Sequence, residues 1–160
     1  DSDDPYSDLI SESEILKIPN VESFQDALKK GADRLAERLD LSPSELIDLF
    51  VNEVDHGLMP IAHHCAIPHH RYDQIDRAKL LFVKLDKPVR VEFDETTAHV
   101  GNHGPVDLLI FFLSPDNKAG QHLRILAKLA ERIESDEFAD EIDKTATLKQ
   151  LKTFFSGDKR

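Results

Sequence analysis

The sequence predicts an α/β domain in which a mixed β-sheet is sandwiched between helices. Two observations carry this expectation. The middle of the chain holds short, dense apolar runs, Leu80-Leu81-Phe82-Val83 and residues 106–113, the pattern of strands buried on both faces. Segments with apolar residues at helical spacing lie before and after them, so helices are available to cover the sheet.

Ile15, Leu16 and Ile18, ahead of Pro19, form a short first strand. Ser23 opens a helix carrying Phe24, Ala27, Leu28, Leu35 and Leu39. Ser42-Pro43-Ser44-Glu45 is a second helix start: Ser42 caps, Pro43 sits where a missing N–H costs nothing, and Glu45 reaches back. That helix runs through Leu46, Ile47, Leu49, Phe50 and Val54 and ends at Gly57. Residues 61–67 turn apolar before Pro68 breaks them. Val89, Val91 and Phe93 alternate as a half-buried strand. The run 106–113 is too short for a membrane and apolar on both faces, which makes it a central strand. Ser114-Pro115-Asp116-Asn117 reads as a turn. A helix from Ala119 carries His122, Leu123, Ile125, Leu126, Leu129 and Ile133. Ser135 caps a short helix around Phe138 and Ile142, and Thr147 with Gln150 starts a last helix through Leu151, Phe154 and Phe155.

At 160 residues the chain suits one domain with a real core. Its charge of −11 is concentrated at the start: Asp1, Asp3, Asp4, Asp8, Glu12 and Glu14 all precede the first base, Lys17. Residues 1–11 therefore read as an acidic flexible tail or linker, and 12–160 as a single domain. An acidic balance disfavours nucleic-acid backbones and anionic membranes. Cys65 is the only cysteine, which excludes an internal disulfide and fits a reducing, cytoplasmic compartment. No run approaches the roughly 18 apolar residues of a membrane span. The missing initiator Met and the acidic start fit a piece cut from a longer protein, and tag removal gives the same picture.

The chemistry concentrates between His63 and Arg71. His63, His64, Cys65, His69 and His70 invite a metal-binding reading, but their spacing departs from paired zinc ligands. Adjacent histidines on a strand also point to opposite faces. Neither metal nor cofactor is therefore assigned, although a His-cluster metal module remains the second alternative. The preferred reading uses Pro68, which would set His69 at the sheet rim with its backbone direction fixed. A neutral imidazole there is nucleophilic and can hold a phosphoryl group.

Ala66-Ile67-Pro68-His69 resembles the active-site signature of type 2 IIA domains, the mannitol, fructose and nitrogen-regulatory class of the phosphotransferase system. The resemblance continues through residues 105–113, similar to the family's central strand, and through His122-Leu123 with Leu126, Leu129 and Ala130, similar to its second-histidine helix. It also takes in Phe138 and residues 148–155, so that it spans roughly 12 to 156. It implies the IIA mannitol/fructose fold, a phosphoryl group accepted on His69 from a small phosphocarrier protein, and His122 as hydrogen-bonding partner of that group or ring. Arg71 is a candidate phosphate-binding residue.

One departure matters. Many members carry an Arg-Glu pair sixteen and fifteen residues before the active histidine; here Glu53 and Val54 stand there. Glu53 would oppose a phosphoryl dianion, by roughly 4 kcal/mol per unit charge at about 4 Å and an effective dielectric near 20. It would also favour the imidazolium form of His69 over the nucleophilic one. The preferred expectation is accordingly a regulatory or sensory IIA-like domain controlling a transporter through a site at His69. Its partner is that transporter, attached or separate, or a phosphocarrier. Covalent attachment to a membrane protein is left open, as is oligomeric state. The first alternative is an active IIA protein that accepts phosphoryl on His69, an enzyme in that sense. The run 60–69 is more similar to IIA-like domains appended to membrane transporters than to sugar-system members.

Overall fold

The computed structural model of the chain describes residues 5–52, 59–91, 105–143 and 145–157. Elements follow in the order α1 (Pro5–Ser11), β1 (Glu14–Ile18), α2 (Phe24–Leu39), α3 (Pro43–Val51), β2 (Ile61–Ala62), β3 (Cys65–Ala66), β4 (His69–Tyr72), β5 (Lys79–Arg90), β6 (Pro105–Pro115), α4 (Ala119–Glu134), α5 (Asp136–Glu141) and α6 (Leu148–Ser156).

The sheet runs β1-β5-β6-β3-β2, with β4 also on β6. β1 is parallel to β5, β5 antiparallel to β6, and β3 and β4 both parallel to β6. Cys65 pairs with Leu108 and His69 with Phe112. The offset is the same in both, so β3 and β4 are one line of backbone interrupted at Pro68. Proline has no N–H to give the ladder, but its carbonyl still accepts from Phe112 N at 3.0 Å. The interruption therefore leaves the register, and the direction of His69, intact.

Strand alternation divides the core in two. Leu81, Val83, Leu109, Phe111 and Leu113 face α2 and α3, whose Phe24, Leu28, Leu46 and Phe50 complete one apolar layer. Leu80, Phe82, Ile110 and Phe112 face the opposite way, onto Ile125, Leu129, Ile133, Leu151 and Phe155 of α4 and α6. The predicted mixed sheet between helical layers is what forms.

Several local expectations change. Residues 5–11 are not a flexible tail: they form α1, with Tyr6, Leu9 and Ile10 buried, so the packed unit begins before residue 12. Ser42 makes no capping bond, its hydroxyl meeting Ser44 instead. Glu45 accepts from the Tyr72 hydroxyl at 2.7 Å rather than folding back. α3 stops at Val51 with Asn52 as its cap; Gly57 and Phe93, expected to end that helix and to continue a strand, lie outside the described residues. Residues 79–90 form one strand, with a register shift between Lys84 and Val89, and Ser114 and Pro115 belong to β6 rather than to a turn. Among the described residues no helix is long and apolar enough to cross a membrane.

Candidate functional site

His69 opens β4 with Arg71 two residues on, so both side chains leave the same face of the strand. That face is the one covered by α4. β6 brings Phe112 and Ser114 to it, and the turn after β6 leads directly into α4, which carries His122 in its first turn. Two segments 53 residues apart in sequence thus meet: His69 Nδ1 lies 3.1 Å from His122 Nε2, with ring centroids 5.1 Å apart.

His122 is the better-held ring. It is only 5% exposed and stacks on Phe112 at 4.7 Å between centroids and 12° between planes. Its Nδ1 is hydrogen-bonded to the fully buried hydroxyl of Ser114. Burial, followed by electrostatic repulsion from the His69, Arg71 and His70 side, brings its pKa down to about 4. The ring is therefore neutral near pH 7 and carries one N–H, which leaves two ways to order the Ser114–His122–His69 chain. His69 itself is half-buried.

Arg71 directs its guanidinium at the turn after β6. Its Nη1 donates to the Asp116 carbonyl at 3.0 Å and lies 3.6 Å from the Asp116 carboxylate. It stands on the face of His69, engaged with that turn. His70 points to the other side, its Nδ1 against the Arg71 carbonyl.

Among the described residues, His63 and His64 do not join this site. His63 and His64 are not on a strand; both have positive φ, 48° and 68°, and form the tight turn between β2 and β3. Cys65 is fully buried, and burial pushes its thiol pKa well up. Among the described residues no group of three His, Cys, Asp or Glu is placed to hold a metal ion. Glu53, on which the regulatory expectation leaned, lies outside the described residues.

Sequence reasoning missed Ser114 and Phe112 as site residues. A signal for Ser114 was present: it is the lone hydroxyl after the apolar run 108–113, eight residues before His122.

The chain matches the family described as "Phosphoenolpyruvate-dependent sugar phosphotransferase system, EIIA 2" over residues 8–157. It is 25% identical over 138 residues to a nitrogen regulatory protein of Bradyrhizobium diazoefficiens, the match covering 86% of each chain. Its fold is similar to that of nitrogen regulatory protein IIA-Ntr from Neisseria meningitidis, with a TM-score of 0.72, 21% identity and coverage of 93% of this chain and 97% of that one. It is also similar to the enzyme IIA of mannitol from Escherichia coli, in a structure of its complex with phosphorylated enzyme IIB, with a TM-score of 0.61, 13% identity and coverage of 90% and 94%. With a match over nearly its whole length and the same mixed sheet between helices, the chain belongs to the phosphotransferase-system EIIA type 2 family.

Proposed function

We propose that this is a regulatory IIA-type domain that takes a phosphoryl group on His69 as its input and controls a transporter, attached or partner, as its output. The observation that carries the reading is the relay from His69 Nδ1 to His122 Nε2 and from His122 Nδ1 to Ser114. Two tautomer orders satisfy those contacts. In one, His69 Nδ1–H donates to His122 Nε2 and His122 Nδ1–H donates to the Ser114 hydroxyl oxygen. The other ring nitrogen of His69, Nε2, then keeps its lone pair. In the reverse order His69 Nε2 carries the hydrogen and cannot attack.

Only the first order suits transfer. The Nε2 lone pair of His69 attacks phosphorus, the bond from phosphorus to the carrier breaks, and the carrier's leaving atom keeps the electron pair. The Nδ1 proton stays in place throughout, held by the neutral acceptor His122. Arg71, on the same face, supplies positive charge. Leu123, next to His122 and 66% exposed, offers an apolar contact for a protein donor.

The regulatory output is supported by the nitrogen regulatory relative. A relay reading, in which the domain hands its phosphoryl group to a IIB-type partner, is favoured by the mannitol enzyme's complex with a phosphorylated IIB. Incubation with a phosphorylated histidine carrier should give an acid-labile, base-stable label that His69→Ala abolishes. Glu53→Arg, which restores the residue many members of the family carry at that position, should speed its appearance. Absence of label in the unmodified domain and in Glu53→Arg alike would overturn phosphoryl input at His69. Rapid discharge to a mannitol-type IIB would replace the regulatory output with the relay.

A further inference from the structure

A second concave site lies on the same face of the sheet, at the other end of β6. It is a cavity of about 360 Å³, within the size range of small-molecule sites. Its distance from His69 follows from the ladder: Leu108 lines it and Phe112 pairs with His69, four residues and about 13 Å along the strand.

The backbone is specially shaped at this point. The N–H groups of Asp107 and Leu108 both donate to the His64 carbonyl, at 3.0 and 3.3 Å. Two consecutive donors on one acceptor make a β-bulge, which re-aims the extra side chain. Asp107 and Leu108 consequently both line the cavity instead of alternating. Across the sheet, Lys84 pairs with Leu108 at the point where the β5–β6 register shifts. The opposite wall is the turn of His63 and His64, left-handed at both residues. Non-glycine residues adopt that conformation at a cost of roughly 1–2 kcal/mol each, and hairpins of this kind favour Asn-Gly. Side chains are kept here where glycine would be easier.

The lining has three chemical parts. Leu108, Phe138, Ile142 and Leu151 make an apolar floor. Lys84 is the cation: its ammonium donates to the Ala146 carbonyl, and two further N–H donors remain for a ligand. Burial, then Lys17, lowers its pKa, so an anion beside it would be favourable. Acceptors stand around it: the Asp107 and Asp143 carboxylates and the imidazole of His64. The Nδ1 of His64 faces the Pro105 carbonyl at 3.0 Å. A carbonyl only accepts, so Nδ1 carries the hydrogen and Nε2 of the neutral ring is an acceptor.

We propose that this cavity binds a small zwitterion with an apolar side chain, an apolar amino acid, its carboxylate on Lys84, its ammonium among Asp107, Asp143 and His64, and its side chain on the Leu108–Phe138 floor. A purely anionic ligand would meet two carboxylates, and a purely cationic one would be repelled by Lys84. The site does not depend on phosphoryl chemistry at His69, and it gives a regulatory domain a second input on the same sheet face.

The test is a titration of the whole domain, followed by methyl and amide NMR, with leucine and phenylalanine and with two leucine analogues, isoamylamine and 4-methylpentanoate. Leucine or phenylalanine should shift the signals of Leu108, Ile142 and Leu151 at millimolar concentration or below, and each analogue should bind at least about tenfold more weakly. Lys84→Met should cost leucine about tenfold or more while isoamylamine binds no more weakly than before, whereas His69→Ala should alter neither. Because the analogue series is read on the unmodified protein, it decides the matter even if Lys84→Met fails to fold. The proposal is overturned by no shifts up to about 10 mM, by analogues that bind as well as the amino acids, or by shifts confined to His69 and His122.

Discussion

In the order proposed for transfer, the Ser114 hydroxyl accepts from His122 Nδ1–H, which leaves His122 Nε2 to accept from His69 Nδ1–H. The outer nitrogen of His69 then keeps its lone pair. Ser114→Ala removes that first acceptor. The Nε2–H form of His122 then becomes competitive, His69 Nδ1 is pressed into accepting, and the outer nitrogen of His69 gains the hydrogen. Labelling from a phosphorylated carrier should slow by about tenfold or more, with Ser114→Thr recovering much of the rate and the thermal transition moving little. Equal rates for Ser114→Ala and the parent would remove Ser114 from the mechanism. The same ring makes a pH prediction. His122 titrates near 4 when folded, against an ordinary value of 6.5, so between those limits the unfolded chain binds more protons than the folded one. Stability must therefore fall as pH drops from about 6.5 towards 4, by an amount on the order of 3 kcal/mol from this group. Urea midpoints at pH 7 and pH 4.5 should show that loss in the parent and a visibly smaller one in His122→Gln.

At the scale of elements, α2 comes very close to the central strand at Gly31. Gly31 sits over the buried ring of Phe111, and a Cβ built there would lie 2.2 Å from that ring's Cζ. Alanine ordinarily favours a helix over glycine by about 1 kcal/mol. Here the ring cannot retreat, since Phe50 packs on it edge-on at 5.2 Å and Phe111 is fully buried. Gly31→Ala should destabilise by roughly 1–3 kcal/mol through overpacking, and Phe111→Leu should be less harmful in its presence than alone. A chemical-denaturation double-mutant cycle reads that coupling; strict additivity would mean that the helix simply rides away from the sheet. Glycine at 31 carried no legible message in the sequence, because its reason is a neighbour 80 residues on. Local chemistry was legible where it stays local. Thr147 and Gln150 form the expected capping box, Ser135 caps as read, and the helix opened at Ser23 is capped by that residue. It failed where tertiary partners intervene: Tyr72 takes Glu45 away from the cap expected at Ser42, and parallel pairing with Arg71 and Tyr72 keeps Ser114 and Pro115 in the strand.

The whole molecule is closed by its two ends. His69 and His122 could be singled out from their family-like surroundings, and their meeting follows from a parallel β4–β6 pair with α4 returning across it, which is a property of topology rather than of either segment. The acidic start was misread for a physical reason. Its three apolar residues, Tyr6, Leu9 and Ile10, stand at i, i+3 and i+4 but are embedded among Asp4, Asp8 and Glu12, so composition hid a single amphipathic turn. In the fold that turn is covered. The Tyr6 hydroxyl donates to the Phe155 carbonyl at 2.6 Å in a buried contact, and Lys128 lies 4.6 Å above the Tyr6 ring. Lys152 reaches the Ser11 carbonyl, and Arg77 pairs with Glu12. The exposed ion pair adds little; the three buried side chains contribute about 1.5–3 kcal/mol each on burial. Removing residues 1–11 should therefore uncover the α4–α6 layer and lower the thermal midpoint by about 10 °C or more, at roughly 2–4 °C per kcal/mol for a chain of this length. Tyr6→Phe, which keeps the ring and loses only the hydrogen bond, should cost about 1–2 kcal/mol. Scanning calorimetry on the three proteins separates the contributions. A truncated chain that melts with the parent would return residues 5–11 to the status of a tail, and the second apolar layer would then have to hold without its N-terminal cover.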